Sequence, residues 1–304
     1  MSNQHIVEDI RLLAGEKKAI ILAHNYQPPE IQDLADLTGD SLALSIRASE
    51  TDARIIVFCG VHFMAETAAI VCPDKKVLLP VMEAGCAMAD MLTASQLRTR
   101  KAELPGVPVV TYVNSTAEVK SESHICCTSA NAVQVVKSVK APEVLMTPDK
   151  NLAAWVQRHT AQKVHAWPGY CPIHDNLTAD AVRKARSAHP GAVLMAHPEC
   201  PPEVLDMADV VRSTSGMISY VAQSGAKEFI VATEVGLLHP LRKQNPGKSF
   251  YPASPDMVCQ DMKKTGMDDV LAALEKEGPV VTVTEKVRKK ALKAVNRMLA
   301  VPRD

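Results

Sequence analysis

The sequence predicts an α/β protein made of three similar units, each a three-layer αβα domain, closed around a pseudo-threefold axis. Three observations carry this reading. A short β-branched or apolar run passes into polar residues and then into helical periodicity at three places: AIILAHNYQPPEIQDLAD from Ala19, VPVVTYVNSTAEVK from Val107 and AVLMAHPECPPEVLDMAD from Ala192. Anchored on the first polar residue after each run, His24, Tyr112 and His197, the copies are separated by 88 and 85 residues. Cys86, Cys171 and Cys259 then follow the anchors by 62, 59 and 62 residues, so their own separations are 85 and 88. Self-similarity that holds through half of each unit and returns at the cysteines marks a repeated fold rather than chance spacing.

Within each unit the elements follow in the same order. A buried-type strand ends at the anchor, and two positions on stand Tyr26, Asn114 and Glu199. Seventeen positions after the anchor stand Ser41, Ser129 and Thr214, each opening a helix-like run (SLALSIRAS, SANAVQVVKS, TSGMISYVA). About 33 positions after the anchor lie second strands, RIIVFCG, EVLMTP and EFIVATE. Boundaries follow at residues 1–105 with an N-terminal helix, 106–190, and 191–304 with a C-terminal helix. The tail from Thr284, TEKVRKKALKAVNRMLAV, reads as an amphipathic basic helix whose Val, Leu and Met positions pack on the body.

Composition narrows the function. Lys and Arg (34) balance Asp and Glu (34), which argues against nucleic acid or an anionic membrane as the main partner. No apolar stretch approaches the roughly 18 residues of a membrane-spanning helix. The opening MSNQHIVEDIRLL carries Glu8 and Asp9 where a signal peptide needs a basic and then an apolar segment, so a cytoplasmic location is expected. Eight cysteines in that compartment read as thiols or metal ligands rather than disulfides. None forms a C-x-x-C pair, no two glycines stand as G-x-G, and there is no P-loop, H-E-x-x-H or G-x-S-x-G.

Repetition separates the cysteines. A single buried Cys is ordinarily a small hydrophobe, and Cys59, Cys72, Cys126, Cys127 and Cys200 fit that description. Cys86, Cys171 and Cys259 recur at one offset in three units, which core packing does not require. Three thiolates suit a soft metal or a cluster. A [4Fe–4S] cluster usually takes four thiolates, so three leave one iron open to bind a substrate oxygen or nitrogen as a Lewis acid. Two alternatives stay open on the residues alone: a three-cysteine zinc enzyme acting as a hydrolase on a small anionic substrate, and a non-catalytic scaffold with the cysteines in its core.

The polar ring around the thiols suggests the substrate. His24 and His197 are suited to proton transfer near neutral pH, and Tyr26 and Glu199 to acid or base roles if their pKa values are shifted. Ser41, Ser129 and Thr214 place hydroxyls at helix starts, where free N–H groups and the dipole favour anions. Tyr112 and Asn114 add neutral hydrogen bonds. The set implies a small polyanionic substrate and a reaction that eliminates water, or a condensation that ends in dehydration.

At these residues the chain resembles the quinolinate synthase family, the A protein of de novo NAD biosynthesis. The strings AHNYQ (23–27), GDS (39–41), YVNSTAE (112–118), TSAN (128–131), PDKNL (148–152), PGYCPIH (168–174) and HPEC (197–200), with Cys259, carry the resemblance across nearly the whole chain. It implies three αβα domains in a triangle with a [4Fe–4S] cluster at the centre, ligated by Cys86, Cys171 and Cys259. It also implies condensation of iminosuccinate, supplied by aspartate oxidation, with dihydroxyacetone phosphate to give quinolinate, phosphate and water. His24, Ser41, Tyr112, Asn114, Ser129, His197, Glu199 and Thr214 would contact substrates, and Tyr26 would transfer protons. Lys150 and Asn151 are further candidates for the phosphate, and His174 for a supporting or substrate-facing place. Some members carry a C-x-x-C-x-x-C run at the third ligand; here Cys259 stands in MVCQDMKK without neighbouring thiols.

Overall fold

The computed structural model describes residues 3–303. Each repeat forms one four-stranded, wholly parallel sheet. The first comprises β1 (Ala19–His24), β2 (Leu37–Gly39), β3 (Ile55–Cys59) and β4 (Lys76–Leu78). The second comprises β5 (Val109–Tyr112), β6 (Ile125–Cys127), β7 (Glu143–Thr147) and β8 (Lys163–Ala166). The third comprises β9 (Val193–Ala196), β10 (Val210–Val211), β11 (Glu228–Ala232) and β12 (Ser249–Pro252). The spatial orders are β2-β1-β3-β4, β6-β5-β7-β8 and β10-β9-β11-β12, one topology used three times. The segments read as second strands are therefore third in chain order. A strand of two or three residues precedes each, too short to show a period of its own.

Parallel strands need both faces covered, and their sequences show it. Ile20 and Leu22 of β1 and Ile56 and Phe58 of β3 pack with Leu44 and Ala65 on one face. Ile21, Ala23, Val57 and Cys59 face the other way, onto Ile6, Ile10, Val270 and Leu274. The third sheet divides likewise, with Met195 and Val231 on one side and Leu194, Ala196, Ile230 and Ala232 on the other. Each layer is thus helix, sheet, helix.

The C-terminal helix Glu285–Leu299 buries Ala291, Ala294, Val295 and Met298. It lies on the helices His62–Val71 and Ala117–Ser121 and on β6, across the first and second units. The preceding helix Met267–Lys276 packs on helix Asn3–Glu16 and on β3. Chain following the third sheet therefore ties the first two together. Within the described residues no helix is long and apolar enough to cross a membrane.

The topology also selects where a site forms. In every unit the strand order reverses between the first and third strands, and a crevice opens there beyond the carboxyl ends. His24, Tyr112 and His197 stand at those ends.

Candidate functional site

The three crevices meet in one cavity of about 260 Å³. His24, Tyr26, Ser41 and Cys86 line it from the first unit; Tyr112, Asn114, Ser129 and Cys171 from the second; His197, Glu199, Thr214 and Cys259 from the third. Lys150 and Asn151 do not line it: Lys150 pairs with Asp175 at 3.1 Å, and Asn151 donates to Asp175 and to Glu199 O.

The cysteine loops are equivalent down to their backbone bonds. His62 N–H donates to Ala84 O (2.8 Å), Lys150 N–H to Gly169 O (2.7 Å) and Val235 N–H to Met257 O (2.9 Å). In each case the thiol comes two residues after the accepting carbonyl. Burial pushes the Cys86 thiol up to about 12 and holds Cys171 and Cys259 above the ordinary thiol value. Backbone N–H groups of Met88 and Ala89, of His174, and of Met262 and Asp261 oppose this by turning toward the respective sulfurs. Raised in this way, the three thiols stay protonated until a cation takes the place of the protons, and among the described residues no Lys or Arg lines the cavity to play that part. Three partly buried soft donors converging under those conditions fit a metal centre or cluster. The other five cysteines are buried core residues.

Glu199 is the hub of the polar half. Tyr112 Oη donates to its Oε1 at 2.5 Å, and His174 Nδ1 lies 2.7 Å from its Oε2. Burial opposes the charge of Glu199, but His197 and His174, with hydrogen bonds from His174 and Tyr112, outweigh it and hold the carboxyl below its usual range. From His174 the chain of contacts continues: Nε2 lies 2.8 Å from Thr233 Oγ1, which lies 2.5 Å from Tyr26 Oη. Tyr26, Thr233, His174, Glu199 and Tyr112 therefore form one unbroken hydrogen-bonded path. Burial, and then the charge of Glu199, raise both phenols well above their ordinary value, so both stay protonated.

His24 and His197 repeat one geometry. Each Nδ1 accepts the N–H two residues on, from Tyr26 at 3.2 Å and from Glu199 at 3.3 Å. That leaves the proton of the neutral ring on Nε2; in His197 the Nε2 lies 3.1 Å from Ser129 Oγ. Burial lowers His24 to about 4 and His197 to about 3. Both rings are thereby held neutral with Nε2 as the donor nitrogen, and His174 is the imidazole within the path.

Two of the three helix starts fall where the sequence places them. Asp40 and Ser213 are the caps, accepting from Ala43 N–H (2.9 Å) and Gly216 N–H (3.2 Å), so Ser41 and Thr214 are first helical residues. Ser129 sits in a turn before helix Ala132–Ser138, whose cap is Asn131. Asn25 Nδ2 donates to Thr214 Oγ1 at 3.0 Å and joins the first unit to the third. Asn114 Oδ1 is buried without a hydrogen-bond partner among the described residues. Thr233, which links Tyr26 to His174, is not among the residues that the sequence singles out. Its signal is position, one residue past the end of β11 at the crevice.

Cys171, His174 and Glu199 place their donor atoms within 4.8 Å of one another, a group able to hold a metal ion. The family profile described as quinolinate synthetase A protein matches residues 8–300. A quinolinate synthase of Geobacter sp. (strain M21) is 53% identical over 304 residues, all of both chains. One from Dehalococcoides mccartyi (strain ATCC BAA-2266 / KCTC 15142 / 195) is 54% identical over 301 residues, 99% of this chain and 100% of that one. One from Methanoregula boonei (strain DSM 21154 / JCM 14090 / 6A8) is 53% identical over 294 residues, 97% of each. With three copies of one sheet topology, one cavity at their junction and matches of this length, the chain belongs to the quinolinate synthetase A protein family of enzymes.

Proposed function

We propose that the protein condenses iminosuccinate with dihydroxyacetone phosphate to quinolinate, phosphate and water, with Cys86, Cys171 and Cys259 holding a [4Fe–4S] cluster. The observation that carries this reading is the meeting of three equivalent thiols with the Glu199 relay in one cavity. When bound, the cluster would supply a Lewis-acidic iron free of protein ligands.

The remaining work falls to the chain. Nε2–H of His24 and of His197 offers fixed neutral donors to substrate oxygens, and the hydroxyls of Ser41, Ser129 and Thr214 bind beside them. Asn114 Oδ1 accepts an N–H or O–H of the substrate. Glu199 is the base: it takes a proton from substrate and passes one to His174, whose other nitrogen leads through Thr233 to Tyr26. Tyr26 and Tyr112, both protonated, donate at opposite ends of the path. No Lys or Arg lines the cavity among the described residues, so anionic substrate oxygens would be held by the neutral donors of the chain and by the Lewis-acidic iron that a bound cluster would supply. We place the reaction in the cytosol, with iminosuccinate supplied by an aspartate oxidase.

A second reading rests on the Cys171, His174 and Glu199 group: zinc there, with a bound water, would make a hydrolase. The 2.7 Å contact between His174 and Glu199 counts against it, because it is a hydrogen bond that zinc would have to break. The test is quinolinate production from the two substrates by anaerobic protein and by Cys86→Ser, Cys171→Ser and Cys259→Ser. Loss of product in all three, with Cys59→Ala retaining turnover, is expected. Unimpaired Cys86→Ser and Cys259→Ser would overturn the cluster reading and leave the zinc one.

A further inference from the structure

Two buried carboxylates lie behind the thiols in places that the reaction as derived does not use. Asp149 and Glu234 are 1% exposed and occupy the same position, two residues past the ends of β7 and β11. Asp149 Oδ1 accepts Leu152 N–H at 2.6 Å and caps the helix Lys150–His159, while its Oδ2 accepts the N–H of Cys171 at 3.1 Å. Glu234 Oε2 accepts Gly236 N–H at 2.7 Å, and its Oε1 accepts the N–H of Cys259 at 3.2 Å. Each carboxylate thus bridges the start of one element and the backbone of one candidate ligand. The first unit lacks the device: Val61 takes the corresponding place, and among the described residues no side-chain acceptor meets Cys86 N–H.

The two bridges are built to stay in place. Lys263 Nζ sits 2.9 Å from Glu234 Oε1 and also donates to Tyr26 O, so the brace on Cys259 is tied to the first unit. A Cβ at Gly236 would lie 2.7 Å from Glu234 Oε2. A Cβ at Gly169 would lie 2.6 Å from Pro148 O, where the Cys171 loop runs beside Asp149. Both glycines are required by the close approach of the braced loops.

We propose that Asp149 and Glu234 are positioning residues that fix the backbone of Cys171 and Cys259 for their shared ligand, and that Cys86 is the unbraced third arm. The ligand part of this rests on the three-thiol reading. An acid-to-amide change keeps the shape but supplies one acceptor atom where two are used; the shorter bonds, at Leu152 (2.6 Å) and Gly236 (2.7 Å), keep the oxygen, and the cysteine N–H is left facing the NH₂ group.

Amide hydrogen exchange of the metal-free protein, resolved at the three cysteine amides, tests the brace without any cluster. Asp149→Asn is expected to speed exchange at Cys171 about 10-fold, the loss of one hydrogen bond, and to leave Cys86 and Cys259 unchanged. Glu234→Gln is expected to do the same at Cys259 alone. Glu234→Asp separates position from charge: it keeps the charge but falls short of the N–H, and should behave like Glu234→Gln. After reconstitution, the amide variants should lose iron to a chelator about 10-fold faster than wild type. Faster exchange shared by all three cysteine amides, no change at the cysteine that lost its carboxylate, or wild-type exchange in Glu234→Asp would overturn the assignment. A protein that shows the local exchange pattern but takes up no iron would support the brace and contradict the three-thiol reading.

Discussion

Tyr112 sets its hydroxyl 2.5 Å from Glu199 Oε1 and thereby joins the second unit to the third through a phenol and a carboxylate. Tyr112 is the last residue of β5 and Glu199 lies three residues past β9, so the bond exists only when the units close. Glu199→Gln removes the proposed base and is expected to lower quinolinate formation at least about 100-fold, with the fold retained by circular dichroism. Tyr112→Phe removes the donor, and the double variant should fall little below Glu199→Gln alone because the two act as a unit. Additive losses would contradict the coupling.

The relay predicts a graded effect at Thr233. Thr233→Val keeps the volume and removes the hydroxyl that links Tyr26 to His174. Turnover should fall at least about 10-fold with an altered pH profile, and Thr233→Ser should restore most of it. Equal impairment in Val and Ser variants would assign Thr233 to packing instead.

Burial of neutral His24 and His197 makes stability depend on pH. Their folded values, about 4 and about 3, lie below the ordinary 6.5, so unfolding takes up protons between those limits. The stability they contribute is complete above about pH 6.5 and is lost as pH falls through the folded values, each with a slope approaching about 1.4 kcal/mol per pH unit near pH 5. Urea unfolding at about pH 7.5, 6 and 5 should show a steep acid limb that His24→Gln flattens by about that amount. An unchanged slope would mean that His24 is not held neutral.

Gly169 admits no side chain, because a Cβ there would sit 2.6 Å from Pro148 O. Gly169→Ala is expected to cost about 1–3 kcal/mol in urea unfolding, the range for overpacking. Gly191 has nothing within 4 Å of its Cβ position, so Gly191→Ala serves as the neutral comparison. Equal stabilities of the two variants would show that the Cys171 loop gives way.

Much of this site was legible because the chain repeats itself. Offsets of 2, 17 and about 60 residues from His24, Tyr112 and His197 lead to residues that all line one cavity, since equivalent positions in equivalent units share one geometry. Thr233 escaped because its counterparts Gly60 and Pro148 carry no hydroxyl, and only the fold brings it between His174 and Tyr26. The strands Leu37–Gly39, Ile125–Cys127 and Val210–Val211 escaped because two or three residues hold no readable alternation. Ser41 and Thr214 open their helices as read, while Ser129 stands in a turn three residues ahead of helix Ala132–Ser138, a boundary that local propensity does not resolve. The seat of helix Glu285–Leu299 on the first two units follows from packing and not from its place in the chain.

The proposed reaction depends on Cys86, Cys171 and Cys259 jointly holding a cluster. Iron, acid-labile sulfide and zinc measured on anaerobically purified protein, beside its visible spectrum, test it most directly. About four iron and four sulfide per chain, with broad absorption that each of the three Cys→Ser changes removes, is the predicted result. Colourless protein that carries zinc without sulfide, even after reconstitution with iron and sulfide, would contradict it.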